Sequence, residues 1–524
     1  MSQPSNGHPK GLYVLFFTEM WERFSYYGMR AILMLFMVKM LSFDPKFASG
    51  IYGNFTALVY LTPLIGGFIS DRYWGNRRSI FVGGITMAIG QFILFFCASM
   101  VHSNIDLSKM LFVVGLTALV VGNGLFKPNI STMVNQLYAP GDKRVDAAFS
   151  IFYMGINLGA FFSPLICGSL GEKIDYKWGF FAAGVGMSCG LIVFQFLKNK
   201  YIVTADGKQI GTGPNKKADP FEKEVDGTNK LPNLPGADLS ENPKGKEFSM
   251  VRVLIWLAIY AVLWFVFLEF VGFNPISTLV FATSIAASGF IITDPTLTAT
   301  ERSRIIVIYI AAFFVIFFWS AFEQAGASLT LFADQQTDRH IFGFEMPASW
   351  FQSVNPLAII VFAPIFAGIW TSLGKRNKEP SSPVKQALGL LLLSIGFLVI
   401  AIGVKGVDGA TKVSMFWLLG MYIIHTFGEL CLSPIGLSMV ARLSPPRLAS
   451  LLMGVWFLAN AMANDFAGML SKLYPEGGKA TSFFGHPITT LNDFFMIFVL
   501  LSGVAAVILF ALSKVLLKMM RGLR

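Results

Sequence analysis

Four charged residues stand inside one apolar run of this chain, Glu19, Glu22, Arg23 and Arg30 in TEMWERFSYYGMR. With Tyr26 and Tyr27 they repeat at i, i+3, i+4 and i+7, so a helix over this stretch aligns them as a single polar stripe. An unpaired charge at the bilayer centre costs about 2.5–3.5 kcal/mol on insertion scales, so four of them cannot face lipid. The stripe is expected to face a wet, protein-lined cavity that serves as a substrate or ion path. A Glu19–Arg23 pair that only glues helices together is the plainer alternative, but it does not require so many charges.

Other charges within apolar runs are few: Lys127 in VGNGLFKPN, Glu323 in FFWSAFEQAG and Glu429 in HTFGELCLSP. The lysine lies in the first half of the chain and both acids in the second. Opposite charges from opposite halves can form salt bridges that break and reform as the halves rock, with fixed helix pairing as the alternative. Burial favours the neutral carboxyl and a neighbouring arginine favours the carboxylate, so Glu19, Glu22, Glu323 or Glu429 can change protonation as partners move. Among the histidines only His425 falls inside a run, one helical turn before Glu429. It could tune that acid, although a hydrogen-bonded core histidine is the simpler reading.

These residues need helices to position them. Of 524 residues, 54% are hydrophobic and 14% charged, and mean hydropathy is +0.61, against about a quarter charged in soluble domains. Windows of about 20 apolar residues recur along the chain, each long enough to span ~30 Å of hydrocarbon. The expected class is an all-α membrane protein. Fifty-two phenylalanines and 50 glycines suit close helix packing in lipid. The net charge of +11 would suit a nucleic-acid partner, but Lys and Arg gather in short segments between apolar runs and read as topology signals. Cys97, Cys167, Cys189 and Cys431 show no CxxC spacing, so neither disulfides nor a zinc site is expected. The start, MSQPSNGHPK, is polar and precedes a charged run, unlike a cleaved signal, so the first helix is expected to be retained.

Apolar runs place helices near 12–41, 50–71, 77–100, 108–134, 144–170 and 178–199, forming a bundle over 1–200. A Pro- and Gly-rich polar linker, 201–249, follows and cannot bury enough to fold alone. A helical hairpin occupies 250–293. Runs near 302–333, 348–373, 383–404, 411–441, 447–473 and 490–518 complete a second bundle over 294–524. The total is about 14 transmembrane helices, six, two and six. The cationic loops DRYWGNRR, APGDKR, TATERSR, LGKRNK and LSPPR, with the linker and the tail KMMRGLR, fall on one side. The positive-inside rule puts that side and both termini in the cytoplasm. Two such bundles suggest a transporter with a midplane site.

GGFISDRYWGNRR resembles the G-x-x-x-D-R-x-x-G-x-R-R loop of the major facilitator superfamily, in which Asp71 can pair with arginines or a helix end. Three further motifs make the chain similar to the proton-dependent oligopeptide transporter family, prokaryotic type. They are EMWERFSYYG from Glu19 to Gly28, FYMGINLG from Phe152 to Gly159, and GELCLSPIG from Gly428 to Gly436. The resemblance covers nearly the whole chain. It implies the major facilitator fold, two six-helix bundles plus the inserted hairpin.

It also implies a proton-coupled symporter that imports di- and tripeptides by alternating access, with peptide-like drugs as further substrates. Arg23 and Lys127 would hold the peptide carboxylate and Glu429 its ammonium. Asn157 and Asn355 would add hydrogen bonds, and Tyr26, Tyr27, Tyr60, Trp319, Trp456 and Ser433 would line side-chain pockets. Glu19 and Glu22 would couple protons with Arg23, and the Arg30–Glu323 and Lys127–Glu429 pairs would be gates. No cofactor, metal or nucleic acid is implied; the proton gradient drives transport in a lipid-embedded monomer of the inner membrane.

One departure stands in the seventh run of the two bundles, where many prokaryotic members have two adjacent acids before Gln and this chain has Phe322, Glu323, Gln324. That counts against any mechanism that needs both. The rival reading is a major facilitator exporter, or a carrier of drugs, nitrate or other small molecules, but relatives of that kind generally depart from the complete E-x-x-E-R stripe. An enzyme has little support, since HExxH and P-loop motifs are missing and the G-x-S-x-G match, Gly186–Gly190, falls inside an apolar run rather than at a strand-to-helix turn.

Overall fold

The computed structural model describes residues 7–139, 142, 144–204, 207–214, 249–407, 411–445, 448–475 and 480–521. Among the described residues are fourteen helical rods, as expected. The first six are α1 (Lys10–Lys39), α2 (Pro45–Trp74), α3 (Asn76–Met100), α4 (Ile105–Gln136), α5 (Val145–Lys173) and α6 (Tyr176–Tyr201). A pair follows, α7 (Met250–Phe270) and α8 (Pro275–Ile292). The last six are α9 (Ala299–Gln335), α10 (Ala348–Lys375), α11 (Ser382–Gly403), α12 (Met415–Leu443), α13 (Ala449–Ser471) and α14 (Leu491–Met519).

Twelve of these are long and apolar enough to cross a membrane by length and composition; α1 and α13 are not among them. The exceptions follow from their polar residues: α1 carries the charged stripe, and α13 carries Asn460, Asn464 and Asp465. Both helices are sheltered by neighbours, α1 against α5 and α6, α13 against α2 and α9. Helix starts obey capping chemistry, with Asp44 accepting from Lys46 N–H at 2.9 Å before α2, and Thr298 with Glu301 forming a capping box before α9. Glycine lets α2, α3 and α4 approach: a Cβ on Gly66 would overlap the carbonyl of Gly124, and one on Gly83 would lie 2.6 Å from that of Gly122.

The helices are broken where the site will be built. In α9, regular helix ends at Phe322, a 3-10 turn spans Glu323–Gly326, and helix resumes at Ser328. A π segment, Pro164–Gly168, interrupts α5 where Pro164 removes an N–H. Short strands complete the connections and depart from a purely helical chain, such as Thr481–Phe483 antiparallel to His486–Ile488.

The linker's start is more ordered than composition suggested. Buried Arg77 of the DRYWGNRR loop donates from Nη2 to Lys198 O at 3.2 Å and Ile202 O at 2.5 Å, and from Nε to Ile210 O at 2.5 Å. Its own N–H reaches Gly211 O at 2.9 Å. Arg77, not Asp71, is therefore the working charge of the loop in this structure, because Asp71 is exposed. The remaining linker, 205–206 and 215–248, lies outside the described residues, as do 1–6 and 522–524 at the ends.

Candidate functional site

A cavity of about 260 Å³ lies between the two six-helix groups. The first group contributes Tyr27 and Arg30 from α1, Tyr60 from α2, and Tyr153 and Asn157 from α5. The second contributes Trp319 and Glu323 from α9, Gln352 and Asn355 from α10, Glu429 and Ser433 from α12, and Trp456 and Asn460 from α13. Glu323 reaches it from the 3-10 break, which displaces its side chain from a regular helical ridge.

Arg30 Nη1 lies 2.9 Å from Glu323 Oε2, joining the first group to the second as expected. The guanidinium also sits 5.1 Å from the centroid of the Tyr27 ring. This bridge belongs to a wider closure at the end of the bundle far from the chain termini. There Lys39 Nζ donates to Asp334 Oδ1 at 2.7 Å, and Ser49 and Ser471 hydroxyls meet at 3.0 Å. Glu172 of α5 accepts from Ala348 N–H at 2.7 Å and Ser349 N–H at 2.9 Å at the start of α10. A Cβ on Gly326 would overlap Tyr52 Oη, and one on Gly53 would lie 2.7 Å from Gly468 Cα, so these two contacts are close-packed.

The charged stripe of α1 itself departs from expectation. Arg23 Nε donates to Glu19 Oε1 at 2.7 Å and lies 2.8 Å from Glu22 Oε2, while Asn123 Nδ2 donates to Glu22 Oε1 at 3.0 Å. All three charged residues are buried inside the first group, and the cavity lining includes only Tyr27 and Arg30 from the stripe. The reason is α5, whose Gly159 lets its backbone pack against Arg23 and covers that part of the stripe. Tyr26, expected in a side-chain pocket, instead stacks on Phe55 at 6.3 Å, since one residue turns it about 100° from Tyr27.

Lys127 also differs: its Nζ stands 4.4 Å from the centroid of the Tyr60 ring, and among the described residues no ion pair joins it to Glu429. Glu429 Oε2 accepts instead from Asn355 Nδ2 at 2.8 Å, and that amide also reaches Thr426 Oγ1 at 3.0 Å. Asn157 Nδ2 donates to Tyr153 O at 2.9 Å, one turn back. Tyr60, Trp319, Ser433 and Trp456 line the cavity as expected. His425 is a core histidine, its Nε2 3.2 Å from Leu393 O and its ring 4.6 Å from that of Phe397.

Sequence reasoning did not single out Tyr153, Gln352, Tyr422 or Asn460, which also line the cavity. Tyr153 had a signal, since it stands in FYMGINLG one turn before Asn157. Gln352 and Asn460 also had spacing signals, Gln352 three residues before Asn355 and Asn460 four before Asn464, whereas Tyr422 had none.

The geometry is that of a solute carrier, with a polar cavity between two helical groups and charged contacts across one mouth. The model of the POT family matches residues 77–217 and 273–485, and the chain belongs to that family. It is 36% identical to the uncharacterized transporter YclF of Bacillus subtilis, covering 98% of this chain and 96% of that one. It is 37% identical to the peptide transporter YePEPT of Yersinia enterocolitica over 88% of each chain. A di-/tripeptide transporter of Lactococcus lactis is 30% identical over 99% of this chain and 98% of its own. Among solved structures, a peptide transporter POT in complex with sulfate superposes with a TM-score of 0.78 at 34% identity, covering 99% and 97% of the two chains. A POT family transporter in complex with a thioalcohol-conjugated peptide gives 0.77 at 30%, covering 98% and 97%.

Proposed function

We propose that the chain is a proton-coupled symporter that imports di- and tripeptides by alternating access. The observation that carries this reading is the cavity between the two groups, which holds a guanidinium, two carboxylates, amides and aromatic rings. A short zwitterion needs opposite charges at opposite ends and tolerant aromatic surfaces between them. Arg23 and Lys127, which do not line the cavity in this state, would take the carboxylate once released, and Glu429, steadied by Asn355, would take the ammonium. Because Arg23 is buried and engaged by Glu19 and Glu22, its release requires one of those acids to lose its charge.

That requirement couples a proton to the substrate. A proton on Glu22 weakens its hold on Arg23 and frees the guanidinium for the peptide carboxylate, so peptide and proton travel together. The far-end contacts, Arg30–Glu323 among them, form the gate that is closed in this structure. Lys127 and Glu429, unjoined here, would pair across the other mouth in the opposite state. The positive-inside pattern makes the open mouth cytoplasmic and places both termini there, in the cell membrane, with the monomer as the working unit.

The test uses the purified protein in proteoliposomes. Glu22→Gln is expected to abolish accumulation of a labelled dipeptide against its gradient while leaving counterflow exchange intact. Loss of both, or of neither, contradicts the coupling assigned to Glu22. The exporter reading predicts instead that thermal stability rises with amphipathic drugs and not with dipeptides.

A further inference from the structure

A further buried acid lies away from the cavity and has no part in the mechanism above. Asp465 of α13 is 2% exposed, and its Oδ2 has no hydrogen-bond donor. It lies where two other helices, α2 and α8, meet its own. On α8, Ser277 is its neighbour. On α2, Gly53 packs so closely that a Cβ there would lie 3.2 Å from Asp465 O. The same α2 surface holds the hairpin, because Asn274 Nδ2 of α8's cap reaches Asn54 Oδ1 at 3.3 Å and Ser277 Oγ at 2.9 Å. Among the described residues, the charged group that acts on Asp465 is Lys472, at the end of its own helix; α2 and α8 present only neutral groups, Asn54, Asn274 and Ser277, at this junction.

An ionised carboxylate in such a place, with one oxygen lacking any donor, carries a large desolvation cost, and the neutral acid avoids it. The seam that buries it is the seam that closes the far end, since Gly53 meets Gly468 and Ser49 meets Ser471 on the next turn. Beside it a cavity of about 480 Å³, lined by Asn54, Asn274, Ile276 and Lys472, offers room for water. We propose that Asp465 is a proton-binding site outside the peptide cavity that links the α7–α8 hairpin and far-side pH to closure of the far end.

With the seam shut, the proton stays on the Asp465 carboxyl. When α2 parts from α13, water reaches the acid, the O–H bond breaks, water accepts the proton, and the carboxylate faces the Lys472 ammonium. Reclosure takes a proton back from the same water. The closed state therefore holds one proton more than the open one, so lower far-side pH favours closure. The site exchanges protons with one side only, moves none across the membrane, and adds none to the coupling assigned to Glu22. The inference rests on alternating access, but not on the identity of the solute.

A Ser49→Cys/Ser471→Cys disulfide would lock the seam for measurement. Infrared difference spectra of the locked protein at neutral pH are expected to show a protonated-carboxyl band that disappears in Asp465→Asn. In unlocked proteoliposomes, crosslinking of the same cysteine pair, corrected for the thiolate lost as pH falls, should accelerate several-fold with falling far-side pH, with a weaker dependence in Asp465→Asn and recovery in Asp465→Glu. An unchanged carboxyl band, or an unchanged pH slope in Asp465→Asn, overturns the proposal. Neither readout needs peptide, so failure of dipeptide uptake would count against the transport reading and leave this one standing.

Discussion

The residues that do the work are held in place by other residues, and the pairs differ in what they can lose. Arg30 and Glu323 are both buried and paired across the two groups. Removing one partner leaves an uncompensated charge, which in buried pairs costs about 3–5 kcal/mol. Arg30→Ala is therefore expected to open the far mouth, read as slower crosslinking of the Ser49/Ser471 cysteine pair. An unchanged rate would show that the bridge does not hold the gate. The sequence marked both residues as charges stranded in apolar runs, while their pairing came from the family resemblance. The sequence did not reveal that α5 packs over Arg23 and that Asn123 of α4 holds Glu22, because a stripe on one helix says which residues share a face and nothing about what packs over it. The same limit explains Tyr26: its place beside Tyr27 in the motif gave no sign that Phe55 would stack on it.

Helices were the most legible level. Apolar runs and breakers located all the rods, and even α1 and α13, whose polar residues depress their hydropathy, were placed as spans. Less visible were the interruptions. The 3-10 turn at Glu323 and the π segment at Pro164 depend on neighbouring helices, as does the close approach at glycines. Gly53→Ala should act at this scale, since its methyl would meet Gly468 backbone across the seam. The expected result is a protein that folds but favours the open far end, with reduced cysteine crosslinking and slower peptide uptake. Arg77 makes a separate prediction. Its five side-chain hydrogen bonds fasten the chain from Lys198 to Ile210, so Arg77→Ala should increase tryptic cleavage at exposed Lys208 several-fold in the folded protein. Equal cleavage would mean the segment is held by something else.

At the level of the whole molecule, function follows from what the two groups share. The cavity takes both groups to build, with Arg30 and Tyr60 on one wall and Glu323 and Glu429 on the other. The contacts shutting the far end are hydrogen bonds, ion pairs and glycine seams, all of which can separate without exposing a large apolar core. Among the described residues Lys127 makes no ion pair and stands against Tyr60, and the proposal assigns its pairing with Glu429 to the opposite state. A charge reversal tests that exchange. Lys127→Glu should abolish uptake, and combining it with Glu429→Lys should restore far-end opening, read by the same crosslink, without restoring transport. The central claim is that peptide entry is driven by protons. Proteoliposomes holding the protein, given an inward proton gradient and a labelled dipeptide, are expected to accumulate it above the external concentration and to lose that accumulation on adding a protonophore. Accumulation that persists with the gradient collapsed, or entry that only equilibrates in its presence, would contradict the account.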